Sequence, residues 1–142
     1  MSTYLIQEEA TGCAIASAAN IAGLSYKESQ KVANALGIFA ADSSLWSDTT
    51  SIRTLLNKLG FSTGEQIDFK QWDLLPDCAL ISVNWHIEAD KPYWHWATFV
   101  RKDNQAYVLD SNAVYQGQAI TDLSHIKPKW FIPVSPRRQG NL

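Results

Sequence analysis

Residues 95–110 read HWATFVRKDNQAYVLD, and this stretch predicts an antiparallel β-hairpin. The first part, HWATFV, and the last part, AYVLD, are rich in the aromatic and β-branched residues that favour strands. The polar segment between them contains Asp103 and Asn104, residue types that are common in tight turns. A hairpin that turns at these two residues makes an antiparallel sheet the centre of this half of the fold.

Two further apolar runs predict more strands around the hairpin. CALISVNW, 78–85, follows Pro76 and Asp77, and KWFIPV, 129–134, lies near the end of the chain. Pro133 lacks a backbone N–H, which favours a place at the edge of the sheet for this last strand.

The first half of the chain predicts helices. One fits residues 13–22, with Thr11 or Gly12 as its cap, and a second opens at the capping box SYKE, 25–28, while TTSIRTLLNKLG, 49–60, predicts a third. Helices followed by antiparallel strands indicate the α+β class. We expect one domain over residues 1–142, helical over about 1–62 and sheet over about 63–135, with a flexible tail at 136–142.

Composition and charge exclude several classes of function. The net charge is −2 and no basic stripe is present, which argues against a nucleic-acid partner. No basic n-region or long apolar run marks a signal peptide or a membrane span, so we expect a cytoplasmic chain with no membrane partner, with export by a signal-independent route left open. Two cysteines do not make a zinc site, and no metal-ligand spacing or Gly-rich phosphate loop occurs, so no metal and no cofactor is expected.

Cys13 is the candidate nucleophile because it stands at the predicted start of a helix. The positive end of the helix dipole favours a thiolate there, and the small residues AIASAA, 14–19, allow close packing. The alternative is a small buried hydrophobic residue in an Ala-rich helix. Cys78 lies in an apolar strand, and we expect it to be buried and inert.

His95 is the candidate base, with His86 as its alternative. A two-residue turn at Asp103 and Asn104 places Ala97 opposite Asp110 and His95 opposite Asn112. Alternation along the strands then puts both Asp110 and Asn112 on the face of His95, so either could orient the imidazole as the third member of a triad.

Three more residues complete the predicted site. Gln7, just upstream of the candidate nucleophile, could donate a hydrogen bond to an oxyanion beside the Cys13 N–H. Trp94 and Trp96 flank the candidate base and, like Asn112, are candidates for the wall of a substrate cleft, with core packing as the alternative for at least one of the two tryptophans.

Together, Gln7, GCAIASAANIAG, HWATFV and VLDSN resemble papain-like cysteine peptidases. The resemblance is closest to the compact bacterial double-glycine peptidase domains of bacteriocin exporters, and it spans residues 7 to about 112. It implies a helical lobe packed on an antiparallel sheet, with the active site in the cleft between them and a peptide or protein as substrate. It also implies that Cys13 is the nucleophile, His95 the general base and then acid, Asp110 the orienting carboxylate and Gln7 the oxyanion donor.

The same resemblance leaves three hypotheses for the function. Hydrolysis of a peptide or amide bond through a thioester is the first hypothesis, and a glutamine deamidase or transglutaminase-like toxin or effector is the second. A catalytically inactive peptide-binding module is the third. Two positions depart from the family pattern: Ala14 follows the nucleophile where glycine is frequent, and Ser111 follows the third member where proline is usual.

Overall fold

A computed structural model describes residues 13–42, 45, 47–110 and 119–136. Within these residues three helices come first: α1 (Cys13–Ala22), α2 (Tyr26–Ala35) and α3 (Thr50–Lys58). Six strands follow: β1 (Phe61–Thr63), β2 (Ile67–Asp68), β3 (Cys78–Glu88), β4 (Lys91–Lys102), β5 (Gln105–Leu109) and β6 (Trp130–Pro136). All the strand pairings are antiparallel, so the predicted α+β class is confirmed.

The beginning of α2 follows from a short local signal. At α2, the Ser25 side chain accepts a hydrogen bond from the Glu28 N–H, and the Glu28 carboxylate accepts one from the Ser25 N–H, which is the predicted capping box. The helix α1 is Ala-rich, and its residues from Cys13 to Ala19 are all buried. Ser29 of α2 donates a hydrogen bond to the Ile15 carbonyl, which ties α1 to α2.

The strands lie in the order β1-β6-β3-β4-β5, with β2 also paired to β6. The expectation that Pro133 puts its strand at the edge is therefore wrong, because β6 lies between β3 and the pair β1 and β2. The Pro133 carbonyl accepts a hydrogen bond from the Gly64 N–H, so this residue faces the break between β1 and β2. A missing N–H is tolerated there, because no partner strand supplies an acceptor at the break.

The hairpin of β3 and β4 is longer than the sequence predicts. The strand β3 continues to Glu88, and β4 begins at Lys91. Ala89 and Asp90, which connect them, have φ of +50° and +65°. Ala89 is not a residue type that signals a left-handed turn, which is why this connection is not visible in the sequence.

The sheet has a core on each face. Leu80, Trp96 and Ile132 pack toward the three helices, whereas Ile81, Ala97 and Phe99 face a second cluster that includes Leu75 and Phe131. The alternation of β4 therefore sends Trp94 and Trp96 into the helical side. It places His95 on the same side of the strand as Ala97.

Trp96 connects several parts of this core. Its side chain is fully buried, it packs edge-to-face against Trp94 and Trp130, and its Nε1–H donates to the Leu45 carbonyl at 2.8 Å. Trp94 is also buried, but its Nε1 has no hydrogen-bond partner in the described part of the chain.

We expect Trp96→Phe to lower the free energy of unfolding by about 1–3 kcal/mol more than Trp94→Phe, because only the first change leaves a buried carbonyl without its donor. Urea unfolding of both variants measures the difference, since the loss of an indole ring is common to both. Equal costs would contradict a structural role for the Trp96 hydrogen bond.

Candidate active site

Cys13 lies where the start of α1 meets the strand β4. Its side chain is 3% exposed, and its Sγ accepts a hydrogen bond from the Trp96 backbone N–H at 3.5 Å. As the first residue of α1, it belongs to the turn whose N–H groups have no acceptor within the helix. The thiol is thus held at a helix N-terminus against the strand that carries His95.

His95 and Asp110 form a short hydrogen bond. His95 Nε2 lies 2.6 Å from Asp110 Oδ1, and the two side chains are 19% and 9% exposed. Asp110 directly follows β5, which pairs with β4. The first pair after the turn is Lys102 with Gln105, and the last is Thr98 with Leu109. Continued by one residue, this register puts Asp110 opposite Ala97, as the predicted two-residue turn requires.

The turn that sets this register has left-handed geometry at both central residues. Asp103 and Asn104 have φ of +54° and +67°. This geometry matches the twist of the flanking strands, and Asp and Asn adopt it at lower cost than most residues. Two local residues therefore determine which face of the sheet Asp110 shares.

Cys13 also interacts with the imidazole of His95, because its side chain contributes, by hydrogen bonding and by charge, to a raised pKa of His95. Because His95 Nε2 is occupied by Asp110, Nδ1 is the ring nitrogen that remains for the thiol. The three side chains therefore form one connected series, from Cys13 through His95 to Asp110.

The pKa of His95 is strongly perturbed. Burial lowers it, but the hydrogen bonds to Asp110 and Cys13 and the negative charges on these two partners outweigh burial and raise the pKa from 6.5 to about 10. A raised pKa favours the imidazolium form, in which both ring nitrogens are donors.

His86, the alternative base, is placed elsewhere. Its ring contacts the Asn84 carbonyl at 2.8 Å and the Glu88 carboxylate at 3.5 Å, and about half of its side chain is exposed. The structure therefore brings His95, and not His86, to Cys13.

The remaining candidates have different positions. Gln7 and Asn112 lie outside the described residues. Trp96 contributes its backbone N–H near Cys13, while its ring is in the core. Trp94 lines a cavity of about 330 Å³ together with Trp85, Trp130 and the segment 47–49. Cys78 is half-buried rather than fully buried as expected, and burial raises the pKa of its thiol to about 11.

A cleft larger than the cavity at Trp94 lies beside Asp110, and no sequence pattern predicts it. Its volume is about 400 Å³, and it is bordered by β3 at Val83, Asn84 and Trp85 and by the segment 125–129. Asn84 has φ of +54° in a bulge, where the pairing of β3 with β4 shifts by one residue between Val83 and His86. Bulges carry no reliable sequence signal, although the left-handed preference of asparagine is consistent with this one.

Within the described ranges, no group of three or more His, Cys, Asp or Glu side chains could hold a metal ion. No helix in the same part of the chain has the length and apolar character needed to cross a membrane.

No family model matches the chain, and no curated protein matches it. Solved structures do. The peptidase domain of Streptococcus ComA, a bifunctional ABC transporter involved in quorum sensing, superposes with a TM-score of 0.62 at 15% identity, over 96% of this chain and 100% of that one. A double-glycine-motif protease of an AMS/PCAT transporter, in complex with a leader peptide, gives 0.58 at 16% identity, over 94% and 90%.

The peptidase domain of Streptococcus mutans ComA gives a TM-score of 0.56 at 14% identity, over 95% of this chain and 100% of that one. The chain therefore has the fold of papain-like transporter peptidase domains over almost its whole length. This confirms, at the level of the fold, the resemblance carried by its sequence motifs.

The pKa of His95 leads to a prediction for its titration. We expect the imidazole to titrate far above pH 6.5 in the wild type, and its midpoint to fall in Asp110→Asn, because the carboxylate charge and acceptor that favour the imidazolium are lost. NMR of the His95 ring signals over pH 5–11 measures both midpoints. Asp77→Asn, which removes the surface ion-pair partner of Arg101, is the control. A wild-type midpoint near 6.5 would contradict the assignment.

The same shift has a consequence for stability. A pKa that is higher in the folded state stabilises the protein fully below about 6.5, and this contribution is lost as the pH rises through about 10. The difference in unfolding free energy between wild type and His95→Gln should therefore be larger at pH 6 than at pH 10.5, as measured by urea unfolding. A difference that does not change with pH would be inconsistent with a raised pKa.

Proposed function

We propose that this protein is a cysteine peptidase that cleaves a peptide or amide bond of a peptide or protein substrate. The observation that carries the proposal is the bond between His95 Nε2 and Asp110 Oδ1 beside Cys13, whose side chain interacts with the same imidazole and raises the pKa of His95. A thiol, an imidazole and a carboxylate in series are the arrangement that nucleophilic catalysis by cysteine requires.

In the proposed mechanism, Cys13 and His95 rest as a thiolate and an imidazolium. The Cys13 sulfur attacks the carbonyl carbon of the scissile bond, and a tetrahedral intermediate forms. His95 then donates its Nδ1 proton to the leaving amine as the C–N bond breaks, which leaves a thioester on Cys13. Water attacks the thioester while neutral His95 takes its proton, and loss of the acid restores the resting pair.

Asp110 has a positioning role in this scheme. Its carboxylate holds His95 Nε2–H, so the ring keeps the orientation in which Nδ1 faces the sulfur. Its charge also stabilises the imidazolium, which favours the ion pair over the neutral thiol and imidazole.

The developing oxyanion needs donors near the Cys13 sulfur. The Cys13 backbone N–H, in the first turn of α1, is one proposed donor because it has no acceptor within the helix. Gln7 is the second donor that we propose, on the strength of the sequence resemblance alone.

The similarity of the fold to solved structures supports a peptide as the substrate class. The similar structures are peptidase domains, and one of them holds a leader peptide. A peptide is therefore the substrate class that we propose for this chain as well.

Thiol alkylation tests the proposed nucleophile directly. With iodoacetamide at pH 6.5, Cys13 should react at least about tenfold faster in Cys78→Ala than in Cys78→Ala/His95→Ala, because an ordinary thiol with a pKa near 8.5 is almost entirely protonated at this pH. Mass spectrometry of the labelled peptide gives the rate. Equal rates that rise only near pH 8.5 would remove the basis for an activated cysteine.

Cleavage tests the reaction. A library of natural peptides should contain sequences cut by the wild type and left intact by Cys13→Ala, and His95→Ala should lower kcat by about 10²- to 10⁴-fold, the usual contribution of acid–base catalysis. Mass spectrometry of the products separates new termini, which mark backbone cleavage, from loss of ammonia, which marks a deamidase. Activated Cys13 without any product would indicate a binding module.

A further inference from the structure

The cleft beside Asp110 adjoins the proposed catalytic residues. Asp110 itself lies on its wall, and so does Val83, which pairs with His95 across β3 and β4. The cleft therefore adjoins both the carboxylate that is bonded to the imidazole and the strand position that pairs with His95. This placement suits a subsite for a residue near the scissile bond.

The charges around the cleft are mostly positive. Lys127 and Lys129 line it together with His125. The carboxylate on its wall is that of Asp110, which is hydrogen-bonded to His95. Neither lysine forms a salt bridge to another residue in the part of the chain that the structure describes. Two positive charges thus face a cleft in a protein whose net charge is −2.

The segment that carries these lysines is well held. Pro128 between them is buried. The Lys129 N–H donates to the Ser82 carbonyl at 3.0 Å, and the Lys129 carbonyl accepts from the Phe69 N–H at 3.2 Å. Lys129 Nζ lies 4.7 Å from the centre of the Trp85 ring, which restricts its side chain. Preorganised cations lose less conformational freedom when an anion binds.

We propose that this basic cleft is a substrate subsite for a carboxylate, so that the enzyme prefers peptides that carry an acidic group near the scissile bond. The proposal rests on the peptidase function proposed above. Lys127 and Lys129 determine this preference by charge, and they take no part in the chemistry on Cys13. The carboxylate has two possible sources, an Asp or Glu side chain or the C-terminus of the peptide.

The test reverses the charge of the cleft. The variant Lys127→Glu/Lys129→Glu is compared with Lys31→Glu/Lys102→Glu, which makes the same change in net charge at two exposed lysines outside the cleft. Peptides that the wild type cleaves are synthesised in matched pairs with Glu or Gln near the scissile bond, and each pair is made with a free and with an amidated C-terminus.

In the cleft variant, KM for the acidic peptides should rise by about 3- to 30-fold, in line with charge pairs that are partly exposed. The kcat should not change, and the neutral peptides should be cleaved within about twofold of the wild type, which also shows that the variant is folded. Weaker cleavage of the amidated Glu peptides alone identifies a subsite for an acidic side chain. Weaker cleavage of the peptides with a free C-terminus identifies a subsite for the C-terminal carboxylate. An unchanged ratio of acidic to neutral cleavage, or the same change in the control variant, would overturn the proposal.

A binding measurement separates this proposal from the peptidase function. Fluorescence anisotropy of Cys13→Ala with a labelled Glu-containing peptide and its Gln counterpart needs no turnover. Tighter binding of the acidic peptide that disappears in Cys13→Ala/Lys127→Glu/Lys129→Glu supports the subsite even if no peptide is cleaved. Equal binding of the two peptides by Cys13→Ala contradicts the subsite even if the peptidase function holds.

Discussion

The register of β4 and β5 is the constraint on which the site depends. The turn at Asp103 and Asn104 has two central residues, so the face that Asp110 shares is decided before β5 begins. A slip of one residue would carry the carboxylate to the other face of the sheet, away from His95. The 2.6 Å bond between His95 and Asp110, and the raised pKa of His95, both follow from that register.

The helices position Cys13 against the strand that carries His95. α1 brings Cys13 to β4 because its small side chains allow the helix to pack closely, and Ser29 of α2 holds α1 through the Ile15 carbonyl. Trp96 completes the junction, since its backbone contacts the cysteine while its ring fills the core between sheet and helices. The arrangement of Cys13 and His95 is thus a product of core packing as much as of polar contacts.

Local signals explain what the sequence could predict. A capping box, helical periodicity and a tight turn each act within a few residues, so α2, α3 and the pairing of β4 with β5 were predictable, and with them the position of Asp110. Other features depend on distant partners. Pro133 is tolerated inside the sheet only because β1 and β2 leave a break beside it, and the basic cleft joins a bulge at Asn84 to lysines more than forty residues later.

Alternation along β4 divides its residues between two tasks. Trp94 and Trp96 belong to the core, while His95 between them makes polar contacts at the site. A substitution at His95 would remove the proposed base and leave the aromatic packing in place. In evolutionary terms, a descendant could lose the proposed catalysis in a single step and keep a folded domain with its clefts. Binding partners rather than chemistry would then decide which of its surfaces natural selection maintains.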